Sequence, residues 1–377
     1  MKLGSIQFLR AIAILLIVYA QSIHLSKQTG PSHQQNFYYL SQIGYIGIDL
    51  FFVICGFIIT YTAHRYSGAR EGLQFLQRRF IRINPLFYIA SILFFGVQWF
   101  QVWATNNPNS FLLNNKMIPG LVDSLWIIPT TDKLSRYKLY LPTGWTLAFV
   151  WLFYLVFSIT IFANLRKKAI AVTVTICLLV IAGSLFKPTD LRLTFATNII
   201  LLEFLLGMLI CQLYMKAGML PKFVPVTFLL AGIAWCMVLV FYNYGHISTP
   251  NLILNGTLSL QRFLLWGLPS SFLLAGCVLL EKNKQLQRIW NYKPARLIGN
   301  ASYSIYLAHS IIFTLLATLY KTNTILLPDV SIFVHLVVVV ITGLVVYRYL
   351  EKPFIRWLQK VSQHPSIEHS TTQPQSA

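Results

Sequence analysis

Ten long apolar runs separated by short polar connectors make up most of the chain. A helix needs about 20 mostly apolar residues to cross the hydrocarbon core of a bilayer. Runs of that kind occur at 7–26, 42–63, 84–104, 145–164, 168–186, 196–215, 222–242, 260–280, 301–320 and 330–350. The fourth and fifth are joined by a tight hairpin at Arg166, Lys167 and Lys168. The stretch 117–129 (MIPGLVDSLWIIP) is too short and interrupted to span, which predicts an interfacial or folded-back segment. No repeat at a fixed period is visible. The pattern predicts an all-α, polytopic transmembrane bundle of about ten helices in one domain, residues 1–360. The tail 361–377 (VSQHPSIEHSTTQPQSA) is rich in Ser, Gln and Pro, which predicts disorder. The first run carries Arg10 and lacks a small-residue cleavage site, so it is expected to remain as a helix.

Composition agrees. Of 377 residues, 56% are hydrophobic and 11% charged, with a mean hydropathy of +0.63. A soluble domain carries roughly 25% charged residues, so a bilayer is the solvent that fits. The net charge of +20 sits in short clusters between apolar runs. With the N-terminus in the cytoplasm, 21 of the 30 Lys and Arg fall on the inner side and 9 on the outer. This is the positive-inside bias, and it places both termini in the cytoplasm beside an anionic leaflet. It is not the basic face of a nucleic-acid-binding surface. Cys55, Cys177, Cys211, Cys236 and Cys277 all fall inside apolar runs without metal-ligand spacing, which suits packing rather than disulfides or metal binding.

Polar residues at membrane depth are costly and therefore informative. Arg10 and Gln21 are eleven residues apart, close to three turns, and so share a face with roughly 16 Å between them. His24 lies one turn further, rotated by about 60°. Two readings stand for that helix: edge anchors, or groups facing an interior site. Asp49 falls in the outer third of the second helix, where a structural hydrogen bond and a chemical role are both open. Glu203 and His335 read as isolated packing polar groups. The loop after the second helix ends RRFIRINP, where Arg79 and Arg82, three apart, share a helical face. Paired guanidiniums at a membrane surface suit phosphate oxygens, whether of a ligand or a lipid headgroup. Pro85 marks where the next helix could begin. In GNASYSIYLAHSIIF, Tyr303, Tyr306 and His309 fall about a turn apart on one stripe facing the bundle. Pro353 is expected to stop the last helix, with Glu351 free to pair with a loop arginine.

In order, FLRAIAILLIV, IGIDLFFVICGF, RRFIRINP, GWTLAFVWLFY, IGNASYSIYLAH and YLEKP resemble the motifs of the acyltransferase 3 family of membrane O-acyltransferases. The family acts on surface polysaccharides and lipopolysaccharides. The resemblance implies transfer of an acyl group, usually acetyl, from a cytoplasmic acyl-CoA to a sugar hydroxyl on the outer side. It implies a bacterial inner (plasma) membrane and no bound cofactor. Arg10, Arg79 and Arg82 match the family's arginines, for which a role with the CoA phosphates is implied. Trp145, Ser302, Tyr303, Tyr306 and Glu351 match other motif positions.

Two positions depart from the pattern. Gln21 stands where the family has a histidine, the expected acid/base or acyl-accepting group. Val150, five residues after Trp145, stands where it has a glutamate that would orient or polarise that histidine. Cys55 replaces a common serine. Neither glutamine nor valine moves a proton near neutral pH, and loss of general acid–base help costs roughly 10²–10⁴-fold. His24, about 4.5 Å beyond Gln21 along the helix, is the candidate substitute. The expected site is a polar cavity near Gln21, Asp49 and His309, reached by the donor from the inner arginines. Beside the O-acyltransferase, two alternatives stand: an inactive family member that binds or scaffolds, and a transporter of lipid-linked sugars or small anions. The second is weakened because broken helices and paired repeats are not evident.

Overall fold

The computed structural model describes residues 3–29, 38–104, 127, 130–131, 137–138, 141–242, 244, 253–320 and 328–362. The 117–129 stretch, apart from Ile127, and the tail beyond 362 lie outside these residues. The helices are α1 (Gly4–Thr29), α2 (Ile46–Ala63), α3 (Gly68–Ala104), α4 (Gly144–Phe162), α5 (Lys168–Phe186) and α6 (Leu202–Lys216). After them come α7 (Phe223–Phe241), α8 (Leu268–Lys282), α9 (Lys293–Tyr320), α10 (Pro328–Val346) and α11 (Lys352–Ser362). Among the described residues, ten helical spans are long and apolar enough to cross a membrane. A two-residue ladder, Thr130–Thr131 with Tyr137–Lys138, is the only strand pairing among the described residues.

Three boundaries differ from the hydropathy reading. Helix α3 begins at Gly68, so Arg70, Arg78, Arg79 and Arg82 ride on the helix instead of a loop, and Pro85 lies inside it. Proline removes one helical hydrogen bond and crowds the carbonyl four residues back. Near this break, the Ile83 carbonyl accepts the Tyr303 hydroxyl at 2.8 Å. The sixth span, Leu191–Lys216, is interrupted. A short helix ends at Ala196, and the Asn198 side chain then accepts the Ile200 N–H while its amide donates to the Ile253 carbonyl. Broken helices are therefore present. Finally, the chain does not stop at Pro353. A π-helical turn, Tyr347–Glu351, carries α10 into α11, and Pro353 lies directly after that turn.

The bundle is built around α1 and α2. Helix α1 packs against α9, α2, α10 and α8, and α2 packs most extensively against α6. Between membrane helices, close backbone approach replaces the hydrophobic effect as the source of attraction, and small residues allow it. A Cβ on Gly56 would meet the Phe204 carbonyl, and one on Gly207 would meet the Val53 carbonyl. The α2–α6 seam is thus backbone against backbone. Phenylalanines fill the space beside it, with Phe153 stacked on Phe204 at 4.7 Å and Phe52 at 5.0 Å from the same ring. Helices α5 and α7 are peripheral, with Leu178, Ile181, Leu230 and Met237 exposed as a lipid-facing coat.

Helix ends find partners across the bundle. The Glu281 carboxylate, at the end of α8, accepts the N–H groups of Gly4 at 2.8 Å and Ser5 at 3.0 Å. It covers free donors at the positive end of α1. Lys282 donates to the Tyr214 and Ala217 carbonyls at the end of α6. At the other end of the bundle, Arg262 grips Asp49 with two hydrogen bonds, Nε to Oδ1 at 2.8 Å and Nη2 to Oδ2 at 2.7 Å. Its Nη2 also reaches the Tyr45 carbonyl at 3.2 Å. Both side chains are withdrawn from the surface, at 1% and 0% exposure. Glu203 is not isolated: it is fully buried within the electrostatic reach of this pair, and neither carboxyl oxygen has a hydrogen-bond partner.

Two outcomes follow from these contacts. Gly207→Leu should destabilise the fold by at least about 1–3 kcal/mol, because the seam cannot yield. Gly96→Ala, with nothing within 4 Å, should change thermal unfolding little. Arg262→Leu should cost about 3–5 kcal/mol by stranding Asp49, whereas adding Asp49→Leu should recover most of the loss in a double-mutant cycle.

Candidate active site

The bundle end where α1 starts and α10 finishes opens into a vestibule of about 530 Å³. Its cations are Arg10, Arg78, Arg79, Arg82, Lys352 and Arg356, and Glu351 stands among them. Deeper in, a second cavity of about 150 Å³ shares Arg10, Arg79 and Arg82 with the first. These three guanidiniums form the passage between the two spaces.

Four helices wall the inner cavity in addition to α1. On α2 the lining runs from Ile48 through Phe51, Phe52 and Cys55 to Ile59, a length of roughly 16 Å at helical rise. On α4 it is Thr146, Val150 and Tyr154, four apart and therefore on one stripe. Helix α3 gives Arg79 and Arg82, and α9 gives Ser302, Tyr303 and Tyr306.

Each polar group is held by a neighbour. A Cβ on Gly299 would strike the Gln7 carbonyl, so the glycine brings the backbones of α9 and α1 together. One turn on, Arg10 Nη2 donates to Ser302 Oγ at 2.8 Å. Arg79 donates to Thr62 Oγ1 at 3.1 Å and lies 5.2 Å from the Phe75 ring and 5.7 Å from that of Tyr154, within cation–π range. The Cys55 thiol points to the Tyr154 hydroxyl at 3.7 Å. At the deep end, the Tyr306 and Thr146 hydroxyls are 2.8 Å apart, with the Thr143 carbonyl 3.3 Å from Tyr306. Glu351 accepts the Ser304 hydroxyl, and it feels the charges of Arg82 and Arg10 rather than making an ion pair with a loop arginine.

The structure therefore brings together Arg10, Arg79, Arg82, Val150, Ser302, Tyr303 and Tyr306. It places the other sequence candidates elsewhere. Gln21 and His24 are exposed on α1, on a face turned out of the bundle, while Ser22, Ile23, Leu25 and Ser26 beside them are buried. Asp49 faces Arg262 and not the cavity. His309 is buried behind the wall, its ring 5.3 Å from Tyr306 and 6.1 Å from Phe313, with Nδ1 unpartnered. Trp145 packs edge-on against Phe52 and Phe149. His335 is buried, edge-on to Phe313 at 6.0 Å. Tyr154 and Thr146 were not anticipated, yet each lies four residues from Val150, and that spacing was the available signal. Arg262 and Glu203 meet Asp49 through contacts that no local pattern announces.

Chemically, the site offers guanidiniums that suit phosphate oxygens at its mouth. Further in are hydroxyls and a thiol able to donate to a carbonyl, set in apolar walls.

Residues 3–349 match the model of an acyltransferase domain, the acyltransferase 3 family, and the chain belongs to that family. It is 28% identical over 316 residues to the exopolysaccharide production protein ExoZ of Rhizobium meliloti, covering 83% of this chain and 90% of that protein. It is 25% identical over 334 residues to the O-acetyltransferase OatA of Staphylococcus aureus, covering 82% of this chain and 52% of OatA. The putative peptidoglycan O-acetyltransferase YrhL of Bacillus subtilis is 23% identical over 362 residues, covering 87% of this chain and 54% of YrhL. The chain thus spans about half the length of OatA and YrhL. No solved structure matches it.

Proposed function

We propose that this multi-pass membrane acyltransferase moves an acyl group, acetyl in the simplest case, from a cytoplasmic acyl-CoA to a hydroxyl of an extracytoplasmic or lipid-linked glycan. One observation carries the reading: vestibule and inner cavity meet at Arg10, Arg79 and Arg82. A polyanionic head suits the vestibule, and a narrow uncharged arm suits the apolar passage beyond it. The arginine-rich end is assigned to the cytoplasm by the excess of 21 basic residues against 9. The names of the relatives, exopolysaccharide production and peptidoglycan O-acetyltransferase, supply the polysaccharide acceptor and the acetyl group. A bacterial plasma membrane is the corresponding home.

In the reaction the acyl–sulfur bond of the donor breaks and an acyl–oxygen bond to the glycan forms. The proton of the sugar hydroxyl ends on the CoA sulfur. Arg79 and Arg82 hold the phosphates, Ser302 holds Arg10 in place, and the hydroxyls of Tyr303 and Tyr306 line the path of the thioester. His309 is packed on Tyr306 behind the wall, and the described lining of the inner cavity holds no imidazole to stand in for Gln21.

A second reading, donor binding without turnover, is favoured by Val150, an apolar side chain on the cavity wall where the family carries a glutamate. Two measurements separate the readings. In calorimetry on protein in nanodiscs, Arg79→Ala and Arg82→Ala should each weaken acetyl-CoA binding about tenfold or more, the worth of a charged hydrogen bond. Radiolabelled acetyl transfer to surface glycan should rise at least about 10²-fold in Val150→Glu, which lines the cavity, and stay unchanged in Gln21→His, which does not. Unchanged binding in both arginine variants refutes the donor site. Tight binding without transfer in any variant leaves the second reading.

A further inference from the structure

Beside that site, and sharing Lys352 and Arg356 with the vestibule, a groove of about 880 Å³ runs between α11 and the outer faces of α9 and α10. Arg348, Lys352, Arg356 and Lys360, spaced by four along the chain, all line it and are all exposed. The single acid between 347 and 362, Glu351, is buried and turned to Ser304. Among the described residues, no carboxylate lies within ion-pair distance of the four cations. Tyr349 and Trp357 alternate with these cations along the chain, 72% and 57% exposed, with Trp357 stacked on Phe354 at 5.7 Å. Below the cations the groove continues onto Leu297, Ile341 and Val345, apolar side chains exposed on helices of membrane length.

Cations with aromatic rings among them, continuing onto an apolar strip, match the chemistry of a phospholipid from headgroup to acyl chain. We propose that this groove is a binding site for an anionic phospholipid of the leaflet at the arginine end. Its phosphodiester rests on the cationic row and its chains run down Ile341 and Val345. A soluble phosphate would leave the apolar half of the groove without an occupant, so the bilayer is the source. Lys352 and Arg356 are shared with the vestibule, whereas Arg348 and Lys360 line the groove alone, so changes at these two test the lipid site apart from the donor site.

The test uses the whole chain in nanodiscs of phosphatidylcholine with or without phosphatidylglycerol, followed by native mass spectrometry of the lipid retained. The unmodified protein should retain phosphatidylglycerol over phosphatidylcholine. Each basic residue near a charged leaflet is worth about 1 kcal/mol, so Arg348→Gln/Lys360→Gln should retain about thirtyfold less phosphatidylglycerol. Arg348→Lys/Lys360→Arg should keep it. Equal retention by the neutral double variant, or displacement of the lipid by inorganic phosphate alone, would overturn the proposal.

Discussion

The ion pair between Asp49 and Arg262 is the contact on which the interior of this bundle turns. Both groups are withdrawn from water, so each is tolerable only while the other is in place. Their net contribution to stability is small compared with the cost of separating them, which makes the pair a device for register rather than for strength. It fixes α2 relative to the start of the eighth span, while Gly56 and Gly207 fix α2 against α6. One face of α2 is thereby locked. Its other face, from Ile48 to Ile59, is the wall of the inner cavity. A slip of α2 by one residue would strand a buried aspartate and drive a side chain into a carbonyl, so the cavity wall inherits its precision from contacts outside the cavity.

The same logic sets the mouth. A guanidinium deep in a bundle needs a hydrogen-bond acceptor, and Arg10 finds one in Ser302 because Gly299 lets α9 rest on α1 one turn earlier. Arg79 is held between Thr62 and two aromatic rings. Arg10 and Arg79 are therefore fixed in place before any ligand arrives, and a bound anion need not bear the cost of ordering these two.

Much of this was legible in the sequence, and the limits have physical causes. The ten spans follow from the length a bilayer demands, and hydropathy reads length well. It reads ends poorly where a helix carries charge. The arginines of α3 depress hydropathy, so the helix appears to start at Pro85 when it starts at Gly68. The arginine pair was recognisable because a spacing of three fixes a face whatever the helix boundary. Arg10 and Gln21 share a nominal face, but only the first is buried, since at the level of Gln21 the neighbouring helices cover the faces of Ser22 and Ile23 instead. The association of Glu203 with Asp49 and Arg262 joins three spans, and nothing local to any of them encodes it.

The apolar side chain at 150 has an electrostatic consequence for the cavity it lines. Three guanidiniums face the inner cavity, and its lining contains no carboxylate. The acid at their level, Glu351, sits in the vestibule and is engaged by Ser304. A glutamate at 150 would face the same space one turn from Tyr154 and offset one of those charges. With Val150 there, the positive field of the cavity is left for a ligand to neutralise, and field lines in a low-dielectric cleft are focused rather than screened. The cavity is thus better furnished to attract an anion than to move a proton. Its cations at the mouth and its hydroxyls further in are carried by different residues on different helices.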